Sequence, residues 1–429
     1  MLCQHASRLV LHNEVHARPA ETLDAPLALA HVVMVCDATQ REASRGWVAT
    51  LARDHHQPPP DAQTIHLRLD LGPFRLRWEL HTEFVTWTFT RTLNHEQLST
   101  ADLPNATDVV PQAWLAELPG ECLSSLHMWV LPNRTEGADT WVKHLLLEDA
   151  LVASTVADGF GEVYTDFTVH ADGFSRMLLF VGGMTPRRLG RLVQRLLEIE
   201  TYRMAALLGL PAAREASQVL ASAERELAQL AQSIRAASPD DEPELLDRLT
   251  KLAGNVESQH AATHSRFSAS AAYFELIDKR ISDIAESRLS GMQTIGEFME
   301  RRLSPARSTC AWSSRRQDAL SQRVSRISNL LRTRVEIEQQ QSSQAVLSAM
   351  NKRQDLQMQL QATVEGLSVA AITYYIAGLI LYLAKGMQVM GWPLNPEVSA
   401  AISVPVVALL VWWMLRRLHR RVFKLDTKR

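Results

Sequence analysis

A stripe of side chains near the C-terminus recurs at alternating spacings of three and four residues, which places its members on one face of a helix. The stripe consists of Gln361, Glu365, Ser368, Ile372, Tyr375, Leu379 and Tyr382. A conduction path through a helix bundle needs polar side chains on one face of the lining helix. It also needs apolar constrictions, which close the path when water leaves them. The stripe therefore predicts a pore lining, with Glu365 at a cytoplasmic entrance that attracts cations.

Two alternatives accompany this interpretation. The tyrosines are equally compatible with packing at an interface or inside a bundle, and Glu365 is equally compatible with an ordinary charge beside a membrane. A second face of the same helix is more apolar and suits helix packing. That face carries Thr363, Leu367, Ala370, Tyr374, Ala377 and Leu381.

A histidine-rich run near the N-terminus has a spacing compatible with metal binding. His12, Glu14 and His16 would share one side of an extended strand, where they could ligate a transition metal. A local structural role, in which Glu14 and Arg18 form buried polar pairs, is the favoured alternative. Metal binding by this run is left open by the sequence.

Other candidate sites are incomplete. His260 and His264 lie four residues apart on a predicted helix, but no neighbouring carboxylate or cysteine in the sequence completes a ligand set, so we interpret them as surface histidines. The run 159–161 lacks the third glycine of a dinucleotide loop, and no GxSxG, P-loop or HExxH motif occurs. Four cysteines form no CxxC pair, which argues against a zinc ribbon or a disulfide framework. We predict neither enzyme activity nor a cofactor.

Charge and hydropathy are distributed unevenly along the 429 residues. The chain has 45 Lys+Arg against 47 Asp+Glu, a balance that argues against a nucleic-acid partner. Residues 416–429 nevertheless hold seven cations and one anion. Just before them lie two uncharged apolar runs, 366–384 and 398–415, each long enough to cross roughly 30 Å of hydrocarbon. The sequence predicts a transmembrane hairpin, with a buried hairpin of a soluble protein as the alternative.

The flanks of the two runs predict their orientation. Trp392, Trp412 and Trp413 lie near the run ends, where interfacial aromatic residues are enriched. The connecting segment 385–397 has one cation whereas the tail has seven, so the tail is expected in the cytoplasm. Two crossings return the chain to its starting side, which places both termini in the cytoplasm. The N-terminus shows no signal peptide, as that topology requires.

Patterning divides the chain into a mixed sheet domain and a helical remainder. Period-2 alternation predicts an α+β N-terminal domain over residues 1–184, with helices near 39–55 and 108–118. Its predicted strands are 28–36, 64–71, 74–81, 84–92, 123–131, 151–156, 162–169 and 175–181. A helical region follows over 185–305, with helices to about 236 and from 243 to 288.

Residues 306–365 contain neither Gly nor Pro and predict a long stalk helix that enters the first membrane helix, 366–384, without interruption. The loop 385–397, the second membrane helix 398–415 and the basic tail 416–429 complete the order. A heptad-like seam on the stalk consists of Leu320, Val324, Ile327 and Leu331. The glutamine- and serine-rich run 339–344 interrupts it.

This order of parts resembles the CorA-type divalent-cation transporters, in which five subunits surround a pore made by the first membrane helix. In that family the helix ends at a Gly-Met-Asn motif, and Gly386, Met387 and Gln388 fall at the corresponding place. Gln388 replaces the asparagine, and Lys385 occupies a position usually held by an aromatic residue. The resemblance implies a homo-pentamer that transports a divalent cation, with residues 385–388 at the pore mouth.

A second resemblance rests on the run 11–19, Leu-His-Asn-Glu-Val-His-Ala-Arg-Pro. It is similar to the N-terminal signature of an uncharacterised membrane-anchored bacterial family, the domain of unknown function 3422. The signature residues here are His12, Asn13, Glu14, His16, Arg18 and Pro19. This resemblance implies anchoring in the bacterial inner membrane and no particular activity.

Two hypotheses follow. The first is an oligomeric cation channel or transporter whose pore is lined by the first membrane helix. The second is a membrane-anchored scaffold or binding protein in which the hairpin is only an anchor.

Overall fold

The structure is a computed structural model and describes all residues except 1–3, 10, 13–18, 100–101, 134–137, 392, 394 and 427–429. Within the described residues, nine strands form one sheet in the order β2-β3-β4-β1-β5-β8-β7-β6-β9. Neighbouring strands are antiparallel except β5 and β8, which run parallel. The strands are β1 Leu27–Val35, β2 His66–Asp70, β3 Arg75–Leu80, β4 Phe84–Thr92, β5 Glu121–Pro132, β6 Val152–Val156, β7 Gly161–Thr165, β8 Ser175–Val181 and β9 Ser287–Arg288.

Helices lie between these strands and after them. They are α1 Ala38–Asp54, α2 Gln112–Ala116, α3 Ala138–Leu145, α4 Pro186–Leu207, α5 Gly209–Ala236, α6 Glu242–Asp283, α7 Ile295–Val389 and α8 Pro396–Asp426. The sheet domain, the long helix α7 and the C-terminal helix α8 confirm the predicted fold class.

One face of the sheet is apolar along β3 and β4. Trp78, Trp87 and Phe89 point to this face and are fully buried in a cluster that includes Val48 and Leu51 of α1. A capping box starts α1: the Gln40 amide donates to Asp37 Oδ1 over 2.7 Å, and the Asp37 amide donates to Gln40 Oε1. The odd-even alternation of β3 and β4 therefore sends their large aromatic residues to one core.

The opposite face is apolar over only half of its width. On β5 and β8, Met128 and Leu179 pack with Leu192 and Leu196 of α4. On β3 and β4, the same face carries charged and hydroxyl side chains, and α4 and α6 line the space above them. Glu83, in the turn between β3 and β4, holds α6 in place because it accepts hydrogen bonds from Arg266 and Tyr273.

Several predicted element bounds differ from those observed. The helix predicted over 108–118 is the short α2, preceded by a single 3-10 turn at Ala106–Val109, and the strand predicted over 162–169 ends at Thr165. The helix predicted to reach residue 288 ends at Asp283, and its last residues form the edge strand β9 instead. These differences arise because tertiary pairing decides the ends of elements.

The long helix is longer than the sequence predicted at both ends. It begins at Ile295 and passes through Pro305, whereas the sequence predicts a stalk that starts after this proline. It also continues through Lys385 to Val389, because that stretch contains no proline and a helix tolerates its one glycine, Gly386. Gly391, with φ 90°, follows the helix end, where a left-handed residue terminates helices. Residues 385–389 therefore lie in the last turns of α7 and not in a loop.

The chain divides into two compact units. The first comprises residues 1–237 and 244–328, and the second comprises 238–243 and 329–429. Among the described residues, α7 and α8 are the two helices with a segment long and apolar enough to cross a membrane. The sheet and the helices that cover it belong to the first unit, and both apolar segments belong to the second.

Candidate functional site

A row of polar side chains crosses the second face of the sheet. Antiparallel register places Arg77 of β3 opposite Thr88 of β4, and Thr88 opposite His31 of β1. One step along the strands, Glu79 lies opposite Thr86. All five side chains are buried. Because buried polar groups cost stability unless they are hydrogen-bonded, such a row marks a site with a specific role.

A cavity of about 250 Å³ lies over this row. The sheet supplies its floor, with His81 and Phe84 at one end, and the helices α4 and α6 supply its rim. The rim residues are Gln194, Leu197, Glu198, Thr201 and Tyr202 of α4 and Arg280 of α6. Gln194, Glu198, Tyr202 and Arg280 are half-buried, so the rim reaches the surface while the floor does not.

His31 joins the floor to the rim. Its Nδ1 lies 2.8 Å from Oγ1 of Thr88, and its Nε2 lies 3.0 Å from Oγ1 of Thr201. The Thr201 hydroxyl donates its one proton to the carbonyl of Leu197, so its oxygen accepts from Nε2–H of the imidazole. Burial lowers the pKa of His31 to about 3, and the attraction of Glu79 only partly opposes that effect. The ring is therefore neutral at physiological pH and acts as a fixed hydrogen-bonding link.

The charges around the cavity occur in opposite pairs. On the floor, Arg77 Nη2 donates to Glu79 Oε1 over 2.8 Å. Burial alone would raise the pKa of Glu79, but the guanidinium of Arg77 outweighs it and the pKa lies below its ordinary value. On the rim, Arg280 pairs with Glu198, and although burial opposes it, this pairing raises the pKa of Arg280. Arg280 also donates to Asp283 Oδ2 over 3.1 Å. The Lys, Arg, Asp and Glu residues that line the cavity are thus two cations and two anions.

Two buried polar atoms at the floor have no hydrogen-bond partner among the described residues. They are Oγ1 of Thr86 and Nε of Arg77. Thr86 is 3% exposed and Arg77 is 8% exposed, so neither is solvated as a surface group would be. Nε–H is a donor, and a hydroxyl both donates and accepts. Both atoms are almost completely buried, so a ligand in the cavity would reach this donor and this hydroxyl after a small movement of neighbouring side chains, without the rupture of either ion pair.

We did not predict this site from the sequence. The signal present was the alternation of Arg75, Arg77 and Glu79 with Leu76 and Trp78, which indicates a strand with one polar side. A polar side ordinarily faces water. Only the distant helices α4 and α6 turn it into an enclosed floor, and single-sequence patterning contains no information about that pairing.

The residues predicted to line a pore lie on an uncovered flank of α7. Tyr375, Leu379 and Tyr382 are 74%, 62% and 75% exposed, and Ile372 is 41% exposed. Gln361 is exposed, whereas Glu365 and Ser368 are half-buried, and the Gln361 side chain lies 3.4 Å from Glu365 Oε1. The buried residues of this span, Thr373 and Ala384, lie on a different face.

The predicted pore-mouth residues occupy the end of α7. Lys385, Gly386 and Gln388 are exposed and Met387 is half-buried.

The family-signature run lies largely outside the described residues. Asn13, Glu14, His16 and Arg18 fall in the stretch 13–18, whereas His12 and Pro19 are described and exposed. The carbonyl of Pro19 accepts a hydrogen bond from Arg68 of β2.

His260 and His264 are in ring contact, with centroids 5.2 Å apart, and His260 Nε2 lies 3.3 Å from Asp318 Oδ1. The described part of the chain contains no group of three or more His, Cys, Asp or Glu residues that could hold a metal ion.

Comparison with known proteins gives one match. A family model described as "Protein of unknown function (DUF3422)" matches residues 3–422, which confirms the second resemblance seen in the sequence. No curated protein and no solved structure matches the chain. The resemblance to the CorA-type transporters receives no support from these comparisons.

Proposed function

The chain belongs to the DUF3422 family, and we propose that it is a membrane-anchored binding protein whose sheet domain binds a small, uncharged, polar molecule. The ligand would lie in the cavity between β3, β4 and α4. The role is binding, without a reaction or a cofactor.

The two unpartnered atoms on the cavity floor support this proposal most directly. A buried donor or hydroxyl left without a partner costs about 1–3 kcal/mol, and a ligand that reaches Arg77 Nε and Thr86 Oγ1 would recover that energy. The volume suits a compact molecule, since small-molecule sites are concave and place a few polar groups among apolar ones. Phe84 and Leu197 supply the apolar part of the wall.

The charge balance favours an uncharged ligand. A ligand carboxylate would compete with Glu79 for Arg77, and a ligand ammonium would compete with Arg280 for Glu198. Separating a buried ion pair costs about 3–5 kcal/mol because one charge is left uncompensated. A molecule with hydroxyl or amide groups can satisfy the free atoms while both pairs stay intact.

The second unit supplies the anchor. Its two apolar segments are long enough to span a bilayer. We place the protein in the bacterial inner membrane with both termini in the cytoplasm, because the segment 385–397 has one cation and the tail 416–429 has seven. In that arrangement the cavity samples cytoplasmic solutes.

The test uses the full chain purified in detergent and dialysed against a small-molecule extract of bacterial cells. Bound compounds are then identified by mass spectrometry. Thr86→Val removes the unpartnered hydroxyl, while Thr90→Val is the matched control because Thr90 is a buried threonine on the same face of β4 outside the cavity. We expect the wild type and Thr90→Val to retain the same uncharged compound, and Thr86→Val to bind it about tenfold more weakly. Equal retention by Thr86→Val, or no retention by the wild type, contradicts the proposal.

A second candidate function is an oligomeric channel or transporter for a cation. The predicted pore-lining and pore-mouth residues would form its conduction path. The observation in its favour is that α8 leaves Tyr375, Leu379 and Tyr382 uncovered. An anchor whose polar stripe packs against the second span would cover them. A pore would require several copies of the chain around an axis, with the cation as the transported species and not as a resident metal.

A further inference from the structure

The stalk part of α7 exposes a continuous apolar stripe. Six of its large residues are more than half exposed: Val346 57%, Met350 62%, Leu356 53%, Leu360 66%, Val364 63% and Leu367 76%. Single exposed apolar side chains are ordinary on soluble proteins, but a continuous row of them marks an interaction surface.

The stripe has heptad spacing. Val346, Ala349, Arg353, Leu356, Leu360, Thr363, Leu367, Ala370 and Tyr374 alternate at steps of three and four residues, as the a and d positions of a coiled coil do. Met350 and Val364 lie beside them and widen the apolar face. The opposite side of the helix carries the polar residues Asn351, Gln354 and Asp355, together with two exposed apolar residues, Leu347 and Met358, that do not form a row of heptad spacing. An apolar row with this period fits another helix.

The heptad seam predicted nearer the start of the stalk does not extend this stripe. Leu320 and Val324 are each 1% exposed and are therefore already covered within the chain. The run 339–344, rich in glutamine and serine, separates them from Val346. The free stripe thus starts after that run.

The stripe continues from the stalk into the membrane-spanning segment. Leu367 and Tyr374 are each 76% exposed, whereas the buried residues of the span, Thr373 and Ala384, lie on another face. Lipid can cover Leu367 and Tyr374. It cannot cover Val346 to Leu360, because Lys352, Arg353 and Asp355 keep that stretch outside the hydrocarbon.

We propose that a second copy of this chain covers the stripe, in a parallel and in-register coiled coil over residues 346–374. The occupant is a copy because the same membrane segment anchors every copy at one depth and in one direction, so identical stripes meet at the same height. Arg353 sets the register: a single charged residue at an a position is tolerated where its long side chain reaches water beside its counterpart. This inference rests on the membrane anchor of the proposed function and is independent of the proposed ligand.

Cysteine cross-linking in native membranes tests the inference. Cys122 is exposed, while Cys36 and Cys310 are buried, so the background is the full chain with Cys3→Ser and Cys122→Ser. Single cysteines are placed on the stripe, Ala349→Cys or Thr363→Cys, and off it, Asn351→Cys or Asp355→Cys. Each variant is oxidised and its mass is read on a denaturing gel without reductant.

We expect Ala349→Cys and Thr363→Cys each to give a band at twice the 48.1 kDa chain mass, at least fivefold stronger than the off-stripe variants give. Because both on-stripe positions must pair with themselves, this result requires a parallel, in-register arrangement. Absence of the band from both on-stripe variants, or equal bands on and off the stripe, overturns the inference. Cross-linking at only one on-stripe position contradicts the register.

Discussion

Nε2 of His31 on β1 and Oγ1 of Thr201 on α4 lie 3.0 Å apart and connect residues separated by 170 positions in the chain. The imidazole also reaches Thr88 of β4 through Nδ1. This link fixes the distance between the cavity floor and its rim. The cavity therefore forms only when α4 is docked on the sheet. Loss of the link should lower the free energy of unfolding.

Removal of the acceptor at Thr201 should destabilise the sheet domain. In Thr201→Val the buried Nε2–H of His31 loses its partner, and we expect the free energy of unfolding to fall by about 1–3 kcal/mol. Denaturant titration of the detergent-solubilised chain, followed by tryptophan fluorescence, measures it, since Trp78, Trp87 and Trp129 are buried in that domain. Thr201→Ser restores the hydroxyl and should recover most of the loss. A valine variant as stable as the wild type would disprove the link.

Stability should fall in mildly acidic solution because of His31. Its pKa is about 3 in the folded protein against 6.5 for an ordinary histidine. Below pH 6.5 the unfolded chain takes up a proton that the folded chain does not. The stabilisation is thus fully present above pH 6.5 and is lost at up to about 1.4 kcal/mol per pH unit down to about pH 3.

The comparison is between the wild type and His31→Gln from pH 7.5 to pH 5. The free energy of unfolding of the wild type should fall by about 2 kcal/mol more than that of the variant over this range. His127, whose pKa burial lowers to about 4, contributes equally in both proteins and cancels from the difference. Parallel pH profiles would show that His31 takes up its proton in the folded state.

Substitutions of Arg77 and Glu79 should have strongly non-additive effects on the free energy of unfolding. Both side chains are 10% exposed, so Arg77→Met leaves Glu79 as an uncompensated buried carboxylate and should cost about 3 kcal/mol. The double variant Arg77→Met, Glu79→Met removes both charges and should be less destabilised than either single variant. Unfolding free energies of the four proteins measure this coupling. Additive losses would show that the pair is not coupled in the folded protein.

The channel candidate predicts an effect at the end of α7. Lys385 is exposed beside Gly386, where positive charge would repel cations from a pore mouth. If a pore exists, Lys385→Ala should increase cation flux into liposomes loaded with a fluorescent indicator, and Lys352→Ala, in the stalk, should leave it unchanged. Equal flux in the wild type and Lys385→Ala would remove Lys385 from any transport mechanism. No flux above that of empty liposomes would reject the channel.

The sequence predicted those parts of the fold that depend on local pattern. The strands 84–92 and 175–181 have the predicted bounds because their apolar residues alternate or run continuously between clear turn signals. The uninterrupted helix through the stalk into the first apolar segment was also predicted, from the absence of helix-breaking residues after Pro305.

The cavity was not predictable in the same way. Thr86 and Thr88 looked like the solvent side of a strand, and their burial depends on helices more than a hundred residues later in the chain. Likewise, Glu198 and Arg280 meet only because α4 and α6 lie together at the rim. Neither charge balance nor helical periodicity in the sequence specifies those tertiary contacts.

The most direct test of the binding proposal is an experimental density map of the full chain, purified from its own membranes without added ligand. We predict density that is not protein within about 2.7–3.2 Å of both Arg77 Nε and Thr86 Oγ1, with the Arg77–Glu79 pair intact. A cavity that contains only water, or in which the Thr86 hydroxyl and Arg77 Nε bond to neighbouring side chains, would contradict the proposal.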